Sequence, residues 1–232
     1  MIVASPALGP EAPSLAERYA RLAADTPRRR GVDLTLRTLD ILLASLFLLV
    51  TLPVCALIAV ASVLSGGLPV LYRGDRVGRA GRVFHMLKFR TLRAGAEDRL
   101  GPYLGADLVA RTRAEVTPLG RWLRATQLDE IPQFWNVLRG DMSLVGPRPI
   151  RPRFFAELAA DLPAYWQRLV VRPGLTGFAQ VRRSYETSMA EKLAHDLEWI
   201  ADRSVVLYLR TVTATAWRVA KQSVRGLFRP PE

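Results

Sequence analysis

An uncharged apolar stretch from Ile41 to Leu64, with Pro53 near its middle, is the feature that most constrains this chain. As a helix rising about 1.5 Å per residue, the stretch would be about 36 Å long, enough to cross the roughly 30 Å hydrocarbon core of a bilayer. Proline lacks the N–H that a helix interior uses and clashes with the preceding turn. We therefore expect a kink at Pro53.

The flanks of this stretch are basic on both sides. A helix that crosses the membrane once should have one flank poorer in Lys and Arg, because these residues are retained on the cytoplasmic side. The sequence therefore predicts a re-entrant helix that enters the membrane, breaks at Pro53 and returns to the same face. The flanking basic residues are Arg28, Arg29, Arg30 and Arg37 before the stretch and Arg73, Arg76, Arg79 and Arg82 after it.

The charge balance predicts an anionic partner. Lys and Arg total 33 against 21 Asp and Glu, a formal net charge of +12. Such an excess attracts nucleic acid, anionic lipid headgroups or phosphorylated substrates. No nucleic-acid motif is present, so we predict a phospholipid membrane and phosphorylated substrates, and no nucleic acid. The single cysteine, Cys55, excludes a disulfide within the chain and fits a reducing compartment.

The predicted fold class is α+β and mainly helical. It comprises a re-entrant membrane helix, a small β-hairpin and amphipathic interfacial helices in a single catalytic domain. The predicted divisions are an N-terminal extension, partly disordered, over residues 1–32; the membrane helix over 33–66, stopped by Gly66-Gly67; and a catalytic domain with interfacial helices over 67–232.

Local patterns predict the elements of the catalytic domain. Val70–Val77 and Arg82–Phe89 are candidate strands on either side of a Gly-containing turn. Leu119–Ala125 and Glu130–Arg139 are candidate helices. We expect Asp129 to cap the second of these helices, with a proline in its first turn and a glycine after its last residue.

The C-terminal region is predicted to be helical to about Phe228, after a capping box from Ser188 to Glu191. One face is basic and another apolar, and Trp217 is nearby. This pattern suits a membrane interface, although a core-packing helix with a solvated face fits it equally well. The basic face comprises Arg210, Arg218, Lys221 and Arg225, and the apolar face comprises Val212, Ala216, Val219 and Leu227.

Asp129 and Glu130 are adjacent acids in a stretch otherwise rich in arginine. Consecutive helical residues point about 100° apart, so the two carboxylates would do different work. One could attack a substrate while the other holds a metal ion or orients the first. The alternative is an acidic cap on an ordinary helix.

Three basic residues could bind phosphate. Arg148 has proline on both sides, and a guanidinium held by a stiff loop suits a phosphate, although a structural ion pair is about as well supported. Lys88 and Arg90 would share one face of a strand, as a phosphate site or as a solvated edge. No zinc spacing, nucleotide P-loop or Gly-x-Ser-x-Gly motif is present, so carboxylates and basic groups are the available chemistry.

Between about Arg37 and Thr211 the chain resembles the bacterial sugar transferases, the monotopic phosphoglycosyl transferases. The segments that carry the resemblance follow one another at consistent spacing. They are Arg37-x-x-Asp40 before a proline-broken apolar run, Arg76-Val-Gly78, Lys88-Phe-Arg-Thr91, Thr117-Pro-Leu-Gly120, Leu128-Asp-Glu-Ile-Pro-Gln133 with Asn136, Gly140-Asp-Met-Ser-Leu-Val-Gly-Pro-Arg-Pro149 and Arg172-Pro-Gly-Leu-Thr-Gly177.

The resemblance implies transfer of a sugar-1-phosphate from a UDP-sugar to polyprenyl (undecaprenyl) phosphate, with release of UMP, as the first membrane step of glycoconjugate assembly. It implies that Asp129 is the nucleophile and forms a covalent phosphosugar intermediate, and that Glu130 is linked to Mg²⁺. It also implies that Arg148 binds phosphate. Lys88, Arg90 and Arg124 would line the same basic site. The implied location is the cytoplasmic face of the bacterial inner membrane.

Two departures from the family pattern are visible. The helix break is Leu52-Pro53 where the family often has Ser-Pro, and nearby Thr51 could supply the missing hydroxyl. Tyr208 stands where the family tends to have an aspartate. Neither the transferred sugar nor the oligomeric state follows from the sequence, and the apolar C-terminal region is the one feature that would suit a homodimer. The alternative functions are a UDP-sugar hydrolase and a non-catalytic membrane scaffold.

Overall fold

The computed structural model of this chain describes residues 30–96, 99, 105–182 and 188–228. Within them the protein is mainly helical with two small two-stranded sheets, which confirms the predicted fold class at this level. The predicted N-terminal extension, except for its last three residues, lies outside the described residues. The helices are α1 Arg30–Gly66, α2 Gly105–Glu115, α3 Pro118–Thr126, α4 Gln133–Arg139, α5 Pro152–Asp161, α6 Phe178–Arg182, α7 Met189–Asp202 and α8 Val205–Phe228; the strands are β1 Leu71–Val77, β2 Val83–Phe89, β3 Ser143–Val145 and β4 Gly174–Thr176.

Helix α1 is the long apolar helix that the sequence predicts. It begins at Arg30, contains Pro53 and ends at Gly66. Within the part of the chain that the structure describes, it is the one helix long and apolar enough to cross a membrane. Leu49 and Leu57 are 70% and 71% exposed near its middle. Such a surface is unfavourable in water and suits a bilayer, whereas the re-entrant path remains a prediction.

The Thr51 hydroxyl donates to the carbonyl oxygen of Phe47 over 2.7 Å. The carbonyl that Pro53 frees lies four residues before the proline and belongs to Leu49. Thr51 therefore makes the back-bond expected of a hydroxyl next to the proline, but to a different carbonyl.

Polar side chains attach the first turns of α1 to the rest of the domain. The Arg37 guanidinium donates to the carbonyl oxygens of Val137 and Leu138 over 2.6 and 2.8 Å, at the end of α4. Buried Asp40 accepts a hydrogen bond from the hydroxyl of Tyr208, on α8, over 2.8 Å. Tyr208, one of the two departures from the family pattern, thus connects α1 to the C-terminal helix.

The far end of α1 is attached to the same domain. One terminal nitrogen of Arg90, just after β2, donates to the carbonyl oxygens of Gly66 and Gly67 over 2.6 Å each. Ile58, one and a half turns beyond Pro53, is buried in a cluster with Phe89 and Leu123. Both halves of α1 therefore pack on one globular unit.

Strands β1 and β2 form the predicted hairpin, with Leu71 opposite Phe89 and Val77 opposite Val83. Asn136 on α4, fully buried, holds β2 in place. Its side-chain oxygen accepts from the Leu87 N–H over 2.9 Å, and its amide nitrogen donates to the His85 carbonyl over 2.8 Å. This pair of bonds fixes α4 against the strand that carries Lys88.

Helix α3 begins at a capped proline, close to the predicted start. The Thr117 hydroxyl accepts the Gly120 N–H over 2.9 Å, and Pro118 occupies the first turn. A Cβ on Gly120 would lie 2.1 Å from the Thr91 carbonyl oxygen. The Thr-Pro-Leu-Gly segment therefore allows α3 to approach the backbone directly after β2.

The C-terminal prediction is confirmed in outline, but as two helices. Ser188 accepts the Glu191 N–H at the start of α7, and a break after Asp202 separates α7 from α8. Helix α8 packs on α3, where the Ser223 hydroxyl donates to the Thr126 carbonyl over 2.9 Å. This contact lies just before the acidic pair.

Candidate active site

Asp129 and Glu130 lie in a 3-10 turn, Leu128–Glu130, between α3 and α4. The prediction that Asp129 caps a helix starting at Glu130 is wrong, because α4 begins at Gln133 and no side chain caps it. The physical reason is that Gln127 adopts a left-handed conformation (φ 59°) and the chain turns tightly there. The Asp129 carboxylate is therefore not engaged as a helix cap.

Lys88 on β2 reaches the acidic pair from the neighbouring strand. Its ammonium donates to Glu130 Oε1 over 2.5 Å and stands 4.0 Å from Asp129 Oδ2. The second separation exceeds hydrogen-bonding distance. Lys88 therefore bonds Glu130 directly and acts on Asp129 as a nearby positive charge.

The Asp129 carboxylate is buried, with the residue 7% exposed. The pKa of Asp129 is raised from 3.8 to about 6, chiefly because burial disfavours the charged form, and the neighbouring Glu130 contributes to the rise. The positive charges of Lys88 and Arg124 oppose that rise. Asp129 is thus a carboxylate of increased basicity that is still ionised at neutral pH.

Two of the arginines predicted to bind phosphate, Arg124 and Arg90, form hydrogen bonds with residues near β2. Arg124 on α3 donates through Nε to the Thr91 hydroxyl over 2.9 Å. Arg90 uses one terminal nitrogen to bind the end of α1, while its other terminal nitrogen, Nη1, is buried and has no hydrogen-bond partner among the described residues. A buried donor without a partner is costly, so a ligand oxygen would be favourable there.

Arg148 lies among other arginines. It forms no ion pair with the described residues, which favours the phosphate interpretation over a structural ion pair. Burial lowers the pKa of Arg76, and the nearby positive charges of Arg151 and Arg148 lower it further. Like charges held together destabilise one another unless an anion joins them. The cluster is therefore suited to an anionic ligand.

A cavity of about 1670 Å³ joins these groups. All six predicted site residues line it, namely Lys88, Arg90, Arg124, Asp129, Glu130 and Arg148. Nine of the described side chains that line it are cationic, and the acidic ones are Asp129 and Glu130. The cationic residues are Arg73, Arg76, Lys88, Arg90, Arg93, Arg124, Arg148, Arg151 and Arg218. This balance suits a substrate with several negative charges.

The donor set is compatible with magnesium. No group of three or more His, Cys, Asp and Glu side chains gathers within the described ranges, so they form no complete protein cage. Magnesium is commonly held by one or two carboxylates together with substrate phosphates and water. The adjacent carboxylates of Asp129 and Glu130, beside a cationic cavity, fit that pattern.

Three supporting residues were not assigned roles from the sequence. Thr91 and Asn136 belong to the family-like segments, and this marks them in the sequence as candidate site residues. Their roles do not follow from the sequence, because their hydrogen-bond partners lie in other elements. Arg168 had no local signal. It is buried in the 3-10 segment Pro163–Val170 and donates to the Arg148 carbonyl over 3.0 Å.

Comparison with known proteins gives a matching family model and several relatives of this chain. A family model described as bacterial sugar transferase matches residues 32–222. A UDP-glucose:undecaprenyl-phosphate glucose-1-phosphate transferase of Caulobacter vibrioides is 41% identical over 195 residues, which cover 79% of this chain and 70% of the relative. A UDP-N-acetylgalactosamine-undecaprenyl-phosphate N-acetylgalactosaminephosphotransferase of Aeromonas hydrophila is 35% identical over 190 residues, covering 81% and 42%.

A third relative, the UDP-glucose:undecaprenyl-phosphate glucose-1-phosphate transferase of Escherichia coli K12, is 36% identical over 199 residues, covering 84% of this chain and 42% of the relative. The chain therefore spans about two fifths of the length of the Aeromonas and Escherichia relatives. The sugar differs among these relatives, so similarity alone does not fix which sugar this chain would recognise.

Proposed function

The chain belongs to the bacterial sugar transferase family, and on that basis we propose that it transfers a sugar-1-phosphate from a UDP-sugar to polyprenyl phosphate, releasing UMP. The observation that carries the proposal is the position of Asp129, a buried carboxylate in a cavity whose charged lining residues, apart from Asp129 and Glu130, are cations. A scaffold that only binds anionic lipid has no use for a buried carboxylate there, since it would repel the ligand.

The first step is attack by an oxygen of Asp129 on the phosphorus that bears the sugar. The bond from that phosphorus to the bridging oxygen breaks, and UMP leaves with the bridging oxygen and its electron pair. An oxygen of polyprenyl phosphate then attacks the same phosphorus, and the Asp129 carboxylate leaves with its electron pair. A covalent intermediate thus divides one difficult transfer into two easier ones. Because the sugar C1–O bond is never broken, the anomeric configuration is retained.

Cationic groups must offset the charge of the diphosphate before a carboxylate can approach it. Lys88 and Arg124 are the cationic side chains whose charges act on Asp129. Arg148 and Arg76, which lie close together near Arg151, would bind phosphate oxygens of the substrate. Arg90 could donate through its unpartnered nitrogen.

Glu130, with Asp129 beside it, is the residue that would hold magnesium. When bound, the ion would neutralise charge on the diphosphate and on the departing UMP. Lys88 donates to Glu130 over 2.5 Å and would keep that carboxylate oriented.

We also propose that α1 is re-entrant and that both its ends lie at the cytoplasmic face of the inner membrane. Arg37 binds the end of α4 near the start of α1, and Arg90 binds the last residue of α1. Two attachments to one globular unit are difficult to reconcile with ends on opposite sides of a bilayer. The acceptor lipid could then meet a water-soluble donor at one membrane surface.

The test is turnover by detergent-purified protein given magnesium, undecaprenyl phosphate and radiolabelled UDP-sugars. Label should move to the lipid phase, and Asp129→Asn should reduce transfer by at least about a thousandfold, or ~4 kcal/mol of activation free energy. Asp161→Asn, at an exposed carboxylate on α5, is the matched control and should leave the rate unchanged.

The alternatives predict other products. Free sugar phosphate without lipid-linked label would identify a hydrolase, and no turnover with any UDP-sugar would favour a scaffold. Mass spectrometry of protein quenched in the absence of lipid acceptor should find a phosphosugar on Asp129. Transfer with no such adduct would contradict the covalent step.

A further inference from the structure

One face of the β1–β2 hairpin carries a tyrosine that the family-like segments do not include. Tyr72, Gly74 and Arg76 alternate along β1, so these three positions share one face of the strand. Tyr72 lies directly opposite Lys88 on β2, and directly opposed residues are neighbours on the same face. The side chains of Tyr72, Arg76 and Lys88 all line the cavity of the acidic pair. Tyr72 is therefore part of the candidate active site.

Gly74 leaves the space that the Tyr72 ring occupies. A Cβ on Gly74 would lie 2.3 Å from the Tyr72 hydroxyl oxygen and 2.7 Å from two of its ring carbons. The Gly74 backbone is outside the left-handed region, so this position requires the absence of a side chain rather than an unusual φ. The tyrosine ring thus extends along the strand, from residue 72 across residue 74 and towards residue 76.

The Tyr72 hydroxyl reaches the next side chain on this face. It accepts a hydrogen bond from the side chain of Arg76. Arg76 Nη1 also donates to the Asp75 carbonyl oxygen over 2.7 Å. These two acceptors restrain the guanidinium beside the positive charges of Arg148 and Arg151. Because like charges repel, loss of the hydroxyl should let the Arg76 side chain turn away from the other arginines.

A tyrosine hydroxyl suits this position because it is an uncharged acceptor. A carboxylate would bind the guanidinium more strongly, but it would also neutralise that charge and repel a phosphate. The phenol occupies part of the guanidinium and leaves its positive charge and its other N–H donors for a ligand. The arginines therefore remain available to an anion that offers several oxygens.

We propose that Tyr72 positions Arg76 to bind the diphosphate of the UDP-sugar donor, in the space that Gly74 leaves for its ring; this rests on the transfer reaction proposed above. Tyr72 is a positioning residue, since it acts through the Arg76 guanidinium. Its hydroxyl should matter for binding of the anionic donor and not for the chemistry at Asp129 or for the lipid acceptor. A tyrosine that only filled space could be replaced by phenylalanine without loss.

The first experiment removes the hydroxyl and keeps the ring. Tyr72→Phe should raise the KM for UDP-sugar about fivefold, the loss expected for one hydrogen bond. Both kcat and the KM for undecaprenyl phosphate should stay within about twofold of wild type. In an Arg76→Met background the same change should have almost no further effect on the KM for UDP-sugar. An unchanged KM in Tyr72→Phe, or additive effects of the two substitutions, would overturn the proposal.

Gly74 provides a second and independent variant. Gly74→Ala should displace the Tyr72 ring and raise the KM for UDP-sugar at least as much as Tyr72→Phe does. Gly31→Ala, at a glycine whose Cβ would meet no atom within 4 Å, is the matched control and should leave the KM unchanged.

The double variant Tyr72→Ala/Gly74→Ala separates the clash from the lost hydrogen bond. It should recover the thermal stability that Gly74→Ala loses, because the smaller side chain no longer overlaps the new methyl group, while the KM for UDP-sugar stays high. A normal KM in Gly74→Ala, or recovery of the KM in the double variant, would overturn the proposal.

Calorimetric titration with UDP distinguishes this proposal from the transfer reaction itself, because UDP carries the diphosphate and its binding needs neither lipid nor turnover. Wild type and Gly31→Ala should bind UDP alike, and Tyr72→Phe should bind it about fivefold more weakly. Equal binding by wild type and Tyr72→Phe would overturn the positioning role and leave the transfer reaction intact. No binding of UDP by wild type, together with no turnover of any UDP-sugar, would refute the proposed reaction and the positioning role with it.

Discussion

The Arg168 guanidinium donates to the backbone carbonyl oxygen of Arg148 over 3.0 Å, from a side chain that is itself 6% exposed. Asp196 accepts from Arg168 over 2.8 Å, and the Tyr165 hydroxyl accepts from it over 2.7 Å. A buried cation with this set of partners holds one orientation. Arg168 is therefore placed to fix the loop from which Arg148 faces the cavity.

Arg168→Lys should weaken donor binding through Arg148. The lysine keeps a charge for Asp196 but cannot also reach the Arg148 carbonyl, so we expect the KM for UDP-sugar to rise about fivefold, the equivalent of one hydrogen bond at ~1 kcal/mol. In an Arg148→Ala background the same change should have little further effect on KM. Additive effects of the two substitutions would show that Arg168 acts on stability alone.

The rate of the first half-reaction should depend on the ionisation of Asp129. Because its pKa is about 6 in the folded protein, kcat/KM should rise with pH through about 6 and level off above it, where the carboxylate is charged. Stopped-flow measurement of UMP release would give this profile. Lys88→Met removes a charge that lowers the pKa, so it should move the acid limb to higher pH.

The control variants for this profile replace the two histidines of the chain, His85 and His195. The acid limb should remain in the His85→Gln and His195→Gln variants. Its disappearance in either variant would assign the limb to that histidine and remove Asp129 from the explanation.

Asp129→Asn should make the protein more stable at neutral pH, although it removes activity. The pKa of Asp129 is about 6 in the folded protein and 3.8 as its ordinary value. Burial of this group therefore destabilises the folded protein fully above pH 6, less at pH values between 6 and 3.8, and not at all below 3.8. We expect a gain on the order of 1–3 kcal/mol near pH 8 and less than half of it near pH 4.5. Chemical unfolding in detergent at the two pH values tests this, and equal changes at both would contradict the assignment.

Removal of magnesium should abolish transfer, and Glu130→Gln should raise the magnesium concentration needed for half-maximal rate. The reason is that a neutral amide is a poorer ligand for a hard cation than a carboxylate. Titration of activity with magnesium after EDTA treatment measures both effects. The Glu157→Gln variant, changed at a surface carboxylate on α5, should need the same magnesium concentration for half-maximal rate as wild type. Full activity in EDTA would exclude the metal requirement.

Cysteine labelling tests the path of α1. With Cys55 replaced by alanine, single cysteines at Thr35 and Ser65 should both react with a membrane-impermeant maleimide from the cytoplasmic side of the membrane. The native Cys55, in the middle of the helix, should react slowly from either side. Reaction of the two engineered cysteines from opposite sides would show that the helix crosses the membrane.

The sequence by itself determined the local elements of this protein. The hairpin over residues 71–89, the Ser188 cap and the glycine that ends α4 depend on neighbouring residues, so local patterns were sufficient to predict them. The apolar run predicted α1 for the same reason. The family resemblance also identified six residues that line one cavity, five of them within the family-like segments and Arg124 between two of these segments.

Only the tertiary structure decided how these segments meet. Asp129 proved not to be a helix cap, because the left-handed turn at Gln127 precedes it. Arg168 and Arg148 are twenty residues apart in sequence, and Asp40 and Tyr208 are farther apart still. Such bonds depend on where distant parts of the chain pack, and burial at those points sets both the partners of a charge and its pKa. No local pattern carries that information.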